Sequence, residues 1–469
     1  MPFQFLFLPD TDNVLITNFV GEYVSLSRVD FDALVDGQLA QTDILNDLVS
    51  KHIICSEEDV DNVLRLLAIK FRSRKQFLYD FTSLHMVVLT LRCNSCCVYC
   101  HASRKDMDAG SSYDMDKKTA KAVVNKIFMS PSRFIKIEFQ GGEPLLNEKV
   151  LRFIVKYATL KNLFEKRNLE FVVCTNLSLI NEKLLHFFRK YNVHISTSLD
   201  GKKEIHDFHR KIKGYSSSYD VFVRSLKLSR YILGKININA LVTITRHSVN
   251  SIRSVIDEYV NLGFNCIFIR ELNPYGFARR AFSDIGYDAK TYVNNYKDAI
   301  DYLIELNLRG VCITEFFASI ILKRMCTPFS TSFVDMQSPA GVGIDGVIYN
   351  YNGKVYVSDE GRMLSEMGDD KFCLGSVFDK YNNLFDNHFM KRTIGRSSLE
   401  CLEICNECVF MPFCGADPVR TYLESGDETK SMYNSNICIR NKGIFEFFID
   451  KIENGNREEK KVLLSWAIQ

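Results

Sequence analysis

The stretch LRCNSCCVYC, residues 91–100, decides the fold. It supplies Cys93, Cys97 and Cys100 at Cys-x3-Cys-x2-Cys spacing, with Cys96 as an extra thiol. Three thiolates on one tight loop can hold three irons of a four-iron cluster, whereas clusters that only carry electrons take four Cys, so one iron stays open to an added ligand. A tetrahedral zinc site would need a fourth protein ligand, and the adjacent His101 is cramped for that role. Zinc and buried structural thiols are the competing readings of the same spacing.

The loop follows an apolar segment that starts at Leu84, the first of six strands expected near 84–91, 134–140, 170–175, 193–198, 239–245 and 266–271. Amphipathic stretches at 181–191, 218–233 and 249–262 separate the later ones, and another helix is expected at 288–308. Serial strand and helix alternation builds a parallel sheet with helices outside, which makes the fold class α/β: a complete or partial barrel over residues 81–320. Ligands of such sheets sit at the carboxyl ends of the strands. Residues 1–80 form a small α+β module in which short strands (14–17, 22–26) precede or alternate with helical patches (30–35, 59–71). Glycine-rich turns and clustered Cys mark a second domain over 321–450, and 451–469, around NGNREEKK, reads as a solvated charged tail.

The 469 residues are 46% hydrophobic and 25% charged, an ordinary globular mixture. Fifty-nine basic against fifty-seven acidic residues leave a charge of +2, too balanced for a field that would capture nucleic acid or an anionic membrane. No run approaches the roughly 20 apolar residues that span a bilayer, and MPFQFLFLPD lacks the parts of a signal peptide, so a cytoplasmic protein is expected. Fifteen Cys, an odd number in a chain with an adequate core, read as metal ligands and not as a disulfide scaffold.

A Cys-x3-Cys-x2-Cys loop after the first strand of a six-strand α/β barrel resembles the radical SAM superfamily. The resemblance implies that the open iron chelates S-adenosylmethionine (SAM), whose sulfonium bond an injected electron breaks to give a 5'-deoxyadenosyl radical. It implies that Gly141, Gly142, Glu143 and Pro144 of EFQGGEPLL meet the methionine amine, small residues letting the backbone approach. Tyr99 would adjoin the adenine, and Asn176 and Ser198, ending the third and fourth strands, would hydrogen-bond the ligand edge. The segment STSLDGKKEIHDFHR resembles one in SPASM-type radical SAM enzymes, which gives Arg210 the SAM carboxylate to fork onto; His206 reads as structural. Taken singly, the two glycines read as a turn, Asn176 and Ser198 as helix caps, Tyr99 as packing and Arg210 as half of a salt bridge.

Cys405, Cys408, Cys414 and Cys438 resemble the auxiliary-cluster ligands of SPASM domains, with a zinc ribbon as the alternative. Where another auxiliary cluster would draw its ligands, this chain has Ser338 in SPAG, Ser358 in VYVSDEG and Pro418. The resemblance then implies two [4Fe-4S] clusters, one binding SAM and one auxiliary. Cys401 is a substitute ligand for the latter, while Cys55, Cys174, Cys266, Cys312, Cys326 and Cys373 are expected as buried small hydrophobes. Asp359 stands where sulfatase-maturing relatives place the acidic residue that takes the substrate's proton; an exposed turn Asp is the competing reading.

The blocks VLITNFVGEYVSLSRVDFDALV, SLHMVVLTLRCN, FIRELNPYGFARR, DMQSPAGVGIDGVIYNYNGKVYVSDEGRMLSEMGD and FCGADPV together resemble the His-Xaa-Ser system radical SAM maturase family (HxsB). That implies a peptide maturase that cross-links side chains of a ribosomally made precursor. Its partners would be an electron donor such as flavodoxin or ferredoxin and a second radical SAM maturase of the same system. Residues 1–80 read either as a leader-binding module with an exposed sheet edge or as a cap on the barrel. A dehydrogenase acting on a Ser or Cys side chain and a non-catalytic iron or zinc protein are the alternative functions.

Overall fold

The computed structural model describes residues 2–8, 11–79, 81–331, 333–428, 430 and 432–468. Strands β1 (Phe3–Phe7), β2 (Asn13–Asn18) and β3 (Tyr23–Ser27) pair antiparallel in that order, followed by helices Arg28–Val35, Thr42–Ser50 and Val60–Arg74. Strand β1 and the middle helix are additions to the sequence reading. In β1 the usual alternation is inverted: Gln4 is buried and donates to the Asn406 carbonyl, while Phe5 and Phe7 are exposed. Tyr23 meets Phe413 edge-on and Arg74 donates to the Arg324 carbonyl, so the module is docked on the rest of the chain.

Six strands then run parallel: β4 (Leu84–Thr90), β5 (Phe134–Gly141), β6 (Asn168–Cys174), β7 (Val193–Ser198), β8 (Ile238–Thr243) and β9 (Cys266–Arg270). Their period of two decides what the barrel contains. In β5, Ile135, Ile137 and Phe139 are buried in the core under the helices, while Lys136, Glu138 and Gln140 line the interior cavity. The register carries this polar lining across neighbours, pairing Lys136 with Glu170 and Cys174 with Ser196. Ordinary parallel barrels fill this space with branched apolar side chains; here it is open.

Beyond β9 the two-residue strand β10 (Thr314–Glu315) extends the sheet. At the other side β11 (Gly346–Tyr349) pairs parallel with β4, and β12 (Lys354–Tyr356) and β13 (Cys373–Ser376) follow antiparallel. The ten strands form one mixed sheet that joins the barrel to the C-terminal domain. Helix Asn436–Asn454 packs along helix Ala289–Leu308.

Two expectations are corrected. The C-terminal stretch is not simply a solvated tail: its charged run opens helix Arg457–Ala467, which buries Leu463 and Trp466 and packs on helix Phe316–Cys326. The polar run hid the short apolar stripe behind it. Nor are the remaining cysteines buried: Cys312 and Cys326 are exposed, Cys55 and Cys373 half-buried, and Cys174 and Cys266 line the cavity. Cys174 and Cys266 face inward on their strands, where the barrel interior is open and not packed. Among the described residues no helix is long and apolar enough to cross a membrane.

Candidate functional site

The barrel encloses a cavity of about 1560 Å³, and Cys93, Cys97 and Cys100 line it where the chain leaves β4. Two short pairings fix their loop: Arg92–Cys93 lies beside Lys105–Asp106, and Ser95–Cys97 pairs antiparallel with Arg210–Ile212, placing Cys97 opposite Arg210. Asn176, at the end of β6, donates to Asn94 Oδ1 at 3.0 Å and to Ser95 Oγ at 2.8 Å, so it clamps the cysteine loop. From the other side, Phe277 N donates to the Cys100 carbonyl, and a Cβ on Gly276 would lie 2.6 Å from the His101 carbonyl oxygen.

Burial pushes the Cys97 thiol up to about 12 and the Cys93 thiol higher still, with Glu143 adding to the shift at Cys93. Ionised sulfur is therefore costly here unless a cation binds it. Three thiols from one short loop, all lining one cavity, are a donor set that fits three irons of a four-iron cluster.

The glycines at the end of β5 make room for backbone within the protein itself. A Cβ on Gly141 would stand 2.1 Å from the Thr90 carbonyl oxygen, and one on Gly142 2.3 Å from that of Arg92. The close approach is thus between this turn and the start of the cysteine loop, where Gly142 N and Glu143 N donate to Thr90 and Arg92. Pro144 opens the short helical turn Pro144–Asn147. Glu143 is buried; it accepts from Thr175 Oγ1 at 2.7 Å and Asn176 N at 2.9 Å, and burial pushes its carboxyl up to about 7. It ties β5 to β6, and the glycines tie β5 to the loop.

Asp200, just past β7, is the electrostatic hub of the opposite wall. It is fully buried, accepts from the Tyr99 hydroxyl and pairs with Arg210 Nε at 3.0 Å. Burial works against its charge, yet Arg210 and His209 hold the carboxyl well below the usual carboxylate range. Arg210 also lies over the Tyr99 ring at 5.3 Å. Both residues line the cavity, but Tyr99 is anchored through its hydroxyl and Arg210 through Nε. Ser198 lines the cavity as well. His206 is structural as expected: it is buried and its Nδ1 accepts from Asp200 N.

The C-terminal domain closes the cavity with an acidic face. Asp359 begins helix Asp359–Glu366, whose N-cap is Ser358, and binds Arg362 Nε at 2.8 Å. Arg362 is 1% exposed and also reaches the Ala102 carbonyl, linking this helix to the cysteine loop. Glu360 and Asp335 line the same cavity and went unnoticed in the sequence, although Glu360 is the neighbour of Asp359 in SDEG. Asp335 opens the DMQSPAG block, just ahead of SPAG.

Cys405, Cys408, Cys414 and Cys438 lie within electrostatic reach of one another. Burial pushes the Cys414 thiol up to about 12, and Asn441 donates to its sulfur at 3.3 Å. The three positions that lack Cys have other tasks. Ser338 Oγ donates to Glu400 and accepts from Leu399 N, Ser358 caps its helix and Pro418 starts helix Pro418–Ser425. An apolar cluster of Ala340, Val342, Val357, Phe372 and Met390 packs in this domain, with a Cβ on Gly343 only 2.5 Å from Met390 Cε.

Comparison with known proteins agrees with this geometry. Residues 87–269 match the Radical SAM superfamily. An uncharacterized protein of Methanocaldococcus jannaschii is 32% identical over 194 residues, 40% of this chain and 63% of that protein, so the match spans less than two thirds of its length. A cysteine-type anaerobic sulfatase-maturating enzyme of Clostridium novyi is 27% identical over 348 residues, covering 69% of this chain and 83% of the enzyme. Among solved structures, native anSMEcpe with bound AdoMet superposes with TM-score 0.64 at 19% identity, over 81% of this chain and 99% of that one. Streptococcus suis SuiB bound to precursor peptide SuiA does so with TM-score 0.54 at 12% identity, over 92% and 98%. The fold is the radical SAM α/β fold, and the chain is related to anaerobic sulfatase maturases.

Proposed function

We propose that this radical SAM chain is a peptide maturase that abstracts a side-chain hydrogen from a ribosomally made precursor and joins two of its residues. One observation carries the reading: the three-thiol loop, Arg210 and the carboxylates Asp335, Asp359 and Glu360 of the C-terminal domain all line one cavity of about 1560 Å³. That exceeds the roughly 300–1,000 Å³ of small-molecule pockets and leaves room for a peptide beside a cofactor.

Cys93, Cys97 and Cys100 would hold a [4Fe-4S] cluster with SAM on its open iron, and Cys405, Cys408, Cys414 and Cys438 an auxiliary one. When bound, the first cluster with SAM supplies a deoxyadenosyl radical able to take hydrogen from unactivated carbon. Arg210 has its terminal nitrogens free of protein partners among the described residues, which suits them to a carboxylate. Tyr99, Gly141 to Pro144, Asn176 and Ser198 shape the ligand wall, and Arg362 fixes Asp359 toward the same space. The motif blocks favour a His-Xaa-Ser type precursor, a flavodoxin or ferredoxin as donor and a second maturase as partner.

The test is mass spectrometry of a precursor co-expressed with the enzyme. A cross-link removes two hydrogens and joins residues in fragment spectra. The second reading, a dehydrogenase of the sulfatase-maturing type, is favoured by Asp359 and by the Clostridium novyi relative; it too removes two hydrogens but leaves the fragments separate. An unmodified precursor alongside active SAM cleavage refutes both for that peptide.

For the N-terminal module, leader binding is supported by the free edge of β1 and by Phe5 and Phe7, exposed beside it. Replacing both by Asp is expected to weaken precursor binding at least about tenfold, since each removes an aromatic anchor. Titration showing unchanged affinity leaves the module as a cap.

A further inference from the structure

Phe268, Arg270, Phe333, Asp335 and Glu360 line both the main cavity and a second one, of about 60 Å³, between the barrel and the C-terminal domain. The small cavity has room for water, which needs roughly 10–15 Å³ of such space, and Asp417 lines it too. Two residues past Asn273, which lines the small cavity, the Tyr275 hydroxyl is fully buried without a hydrogen-bond partner among the described residues, within electrostatic reach of Asp417 and Glu360. An unpartnered buried hydroxyl is costly and calls for water or a carried proton.

We propose that Glu360, and not Asp359, accepts the substrate's proton, and that the small cavity with Tyr275 and Asp417 carries it away. The assignment rests on the maturase reading above. Asp359 is committed to Arg362, and a carboxylate held by a buried guanidinium is a poor base. Glu360 makes no ion pair among the described residues. The groups around it come from five elements: Asp359 on its own helix, Asp335 from the turn Val334–Met336, and Arg270, Glu271 and Tyr275 at and after β9. Asp417 and Arg420 come from the start of helix Pro418–Ser425 and Arg440 from helix Asn436–Asn454. Arg420 and Arg440 are both engaged by Glu271. Burial first, then Asp335, Asp359 and Asp417, push the Glu360 carboxyl up to about 8.

The chemistry balances. Once the hydrogen atom has left the first side chain, bonding its carbon to a second residue breaks an X–H bond and releases one proton and one electron. The proton goes to ionised Glu360, and the electron to an iron-sulfur centre acting as a one-electron acceptor.

The test compares wild type with Glu360→Gln in the anaerobically reconstituted enzyme. Glu360→Gln is expected to keep reductant-dependent SAM cleavage while losing about 100-fold in cross-linked product, the scale of a lost general base. Wild-type product formation should rise about tenfold between about pH 7 and pH 9, following ionisation, and the residual rate of the variant should not. Infrared spectroscopy needs no precursor: a protonated-carboxyl band titrating near the same pH should vanish in Glu360→Gln and shift its midpoint in Tyr275→Phe. Wild-type product yield in Glu360→Gln, or an unaltered band, overturns the assignment. If the band behaves as stated but wild type makes no cross-link, the maturase reading fails and the proton-accepting group stands.

Discussion

Replacing Cys93, Cys97 and Cys100 together by alanine is expected to abolish reductant-dependent SAM cleavage and every modified product. Anaerobically reconstituted wild type should carry roughly eight irons, four for each cluster, and the triple variant about four. The partial loss matters, because it separates an emptied barrel site from an unfolded protein. The loop should survive the change: Asn176 clamps it through Asn94 and Ser95, and strand Arg210–Ile212 holds its backbone, neither relying on sulfur. Retained SAM cleavage in the triple variant would refute the assignment of the site.

Asp200→Ala is expected to destabilise the protein by about 3–5 kcal/mol, the cost of removing one partner of a buried ion pair. The carboxylate accepts from the Tyr99 hydroxyl and from Arg210 Nε, with His209 Nδ1 standing 3.5 Å away. Without it Arg210 keeps a largely buried charge with no counterion, and the Tyr99 hydroxyl loses its acceptor. Because Asp200 is ionised in the folded state below its ordinary range, the stabilisation is present at neutral pH and is lost only as pH falls through that lowered value. A urea midpoint unchanged at neutral pH would show that the pair is not structural.

The barrel was legible from residues because its strands are buried on one face and follow one another in register with helices between. All six expected strands lie within a few residues of β4 to β9. The two cysteine groups stand out in the sequence because several thiols at fixed spacing rarely fall together by chance. What escaped was non-local. Arg362 reaches the Ala102 carbonyl, and Asp335 and Glu360 share a cavity with the cysteine loop, only because the C-terminal domain folds back over it, more than 200 residues away in sequence. The close approach of Gly141 and Gly142 to Thr90 and Arg92 was equally hidden, since a glycine does not state which backbone it makes room for. Trp466, deep in the core after a charged run, was masked by its neighbours.

Strand β4 has β5 on one side and β11 on the other, so the strand that presents the cysteines is interior to the sheet although its second neighbour is some 260 residues later in the chain. During synthesis it must wait with one row of amides and carbonyls uncovered until residue 349 has emerged. A gene fragment ending at the barrel would give a sticky, half-paired product in place of a miniature enzyme.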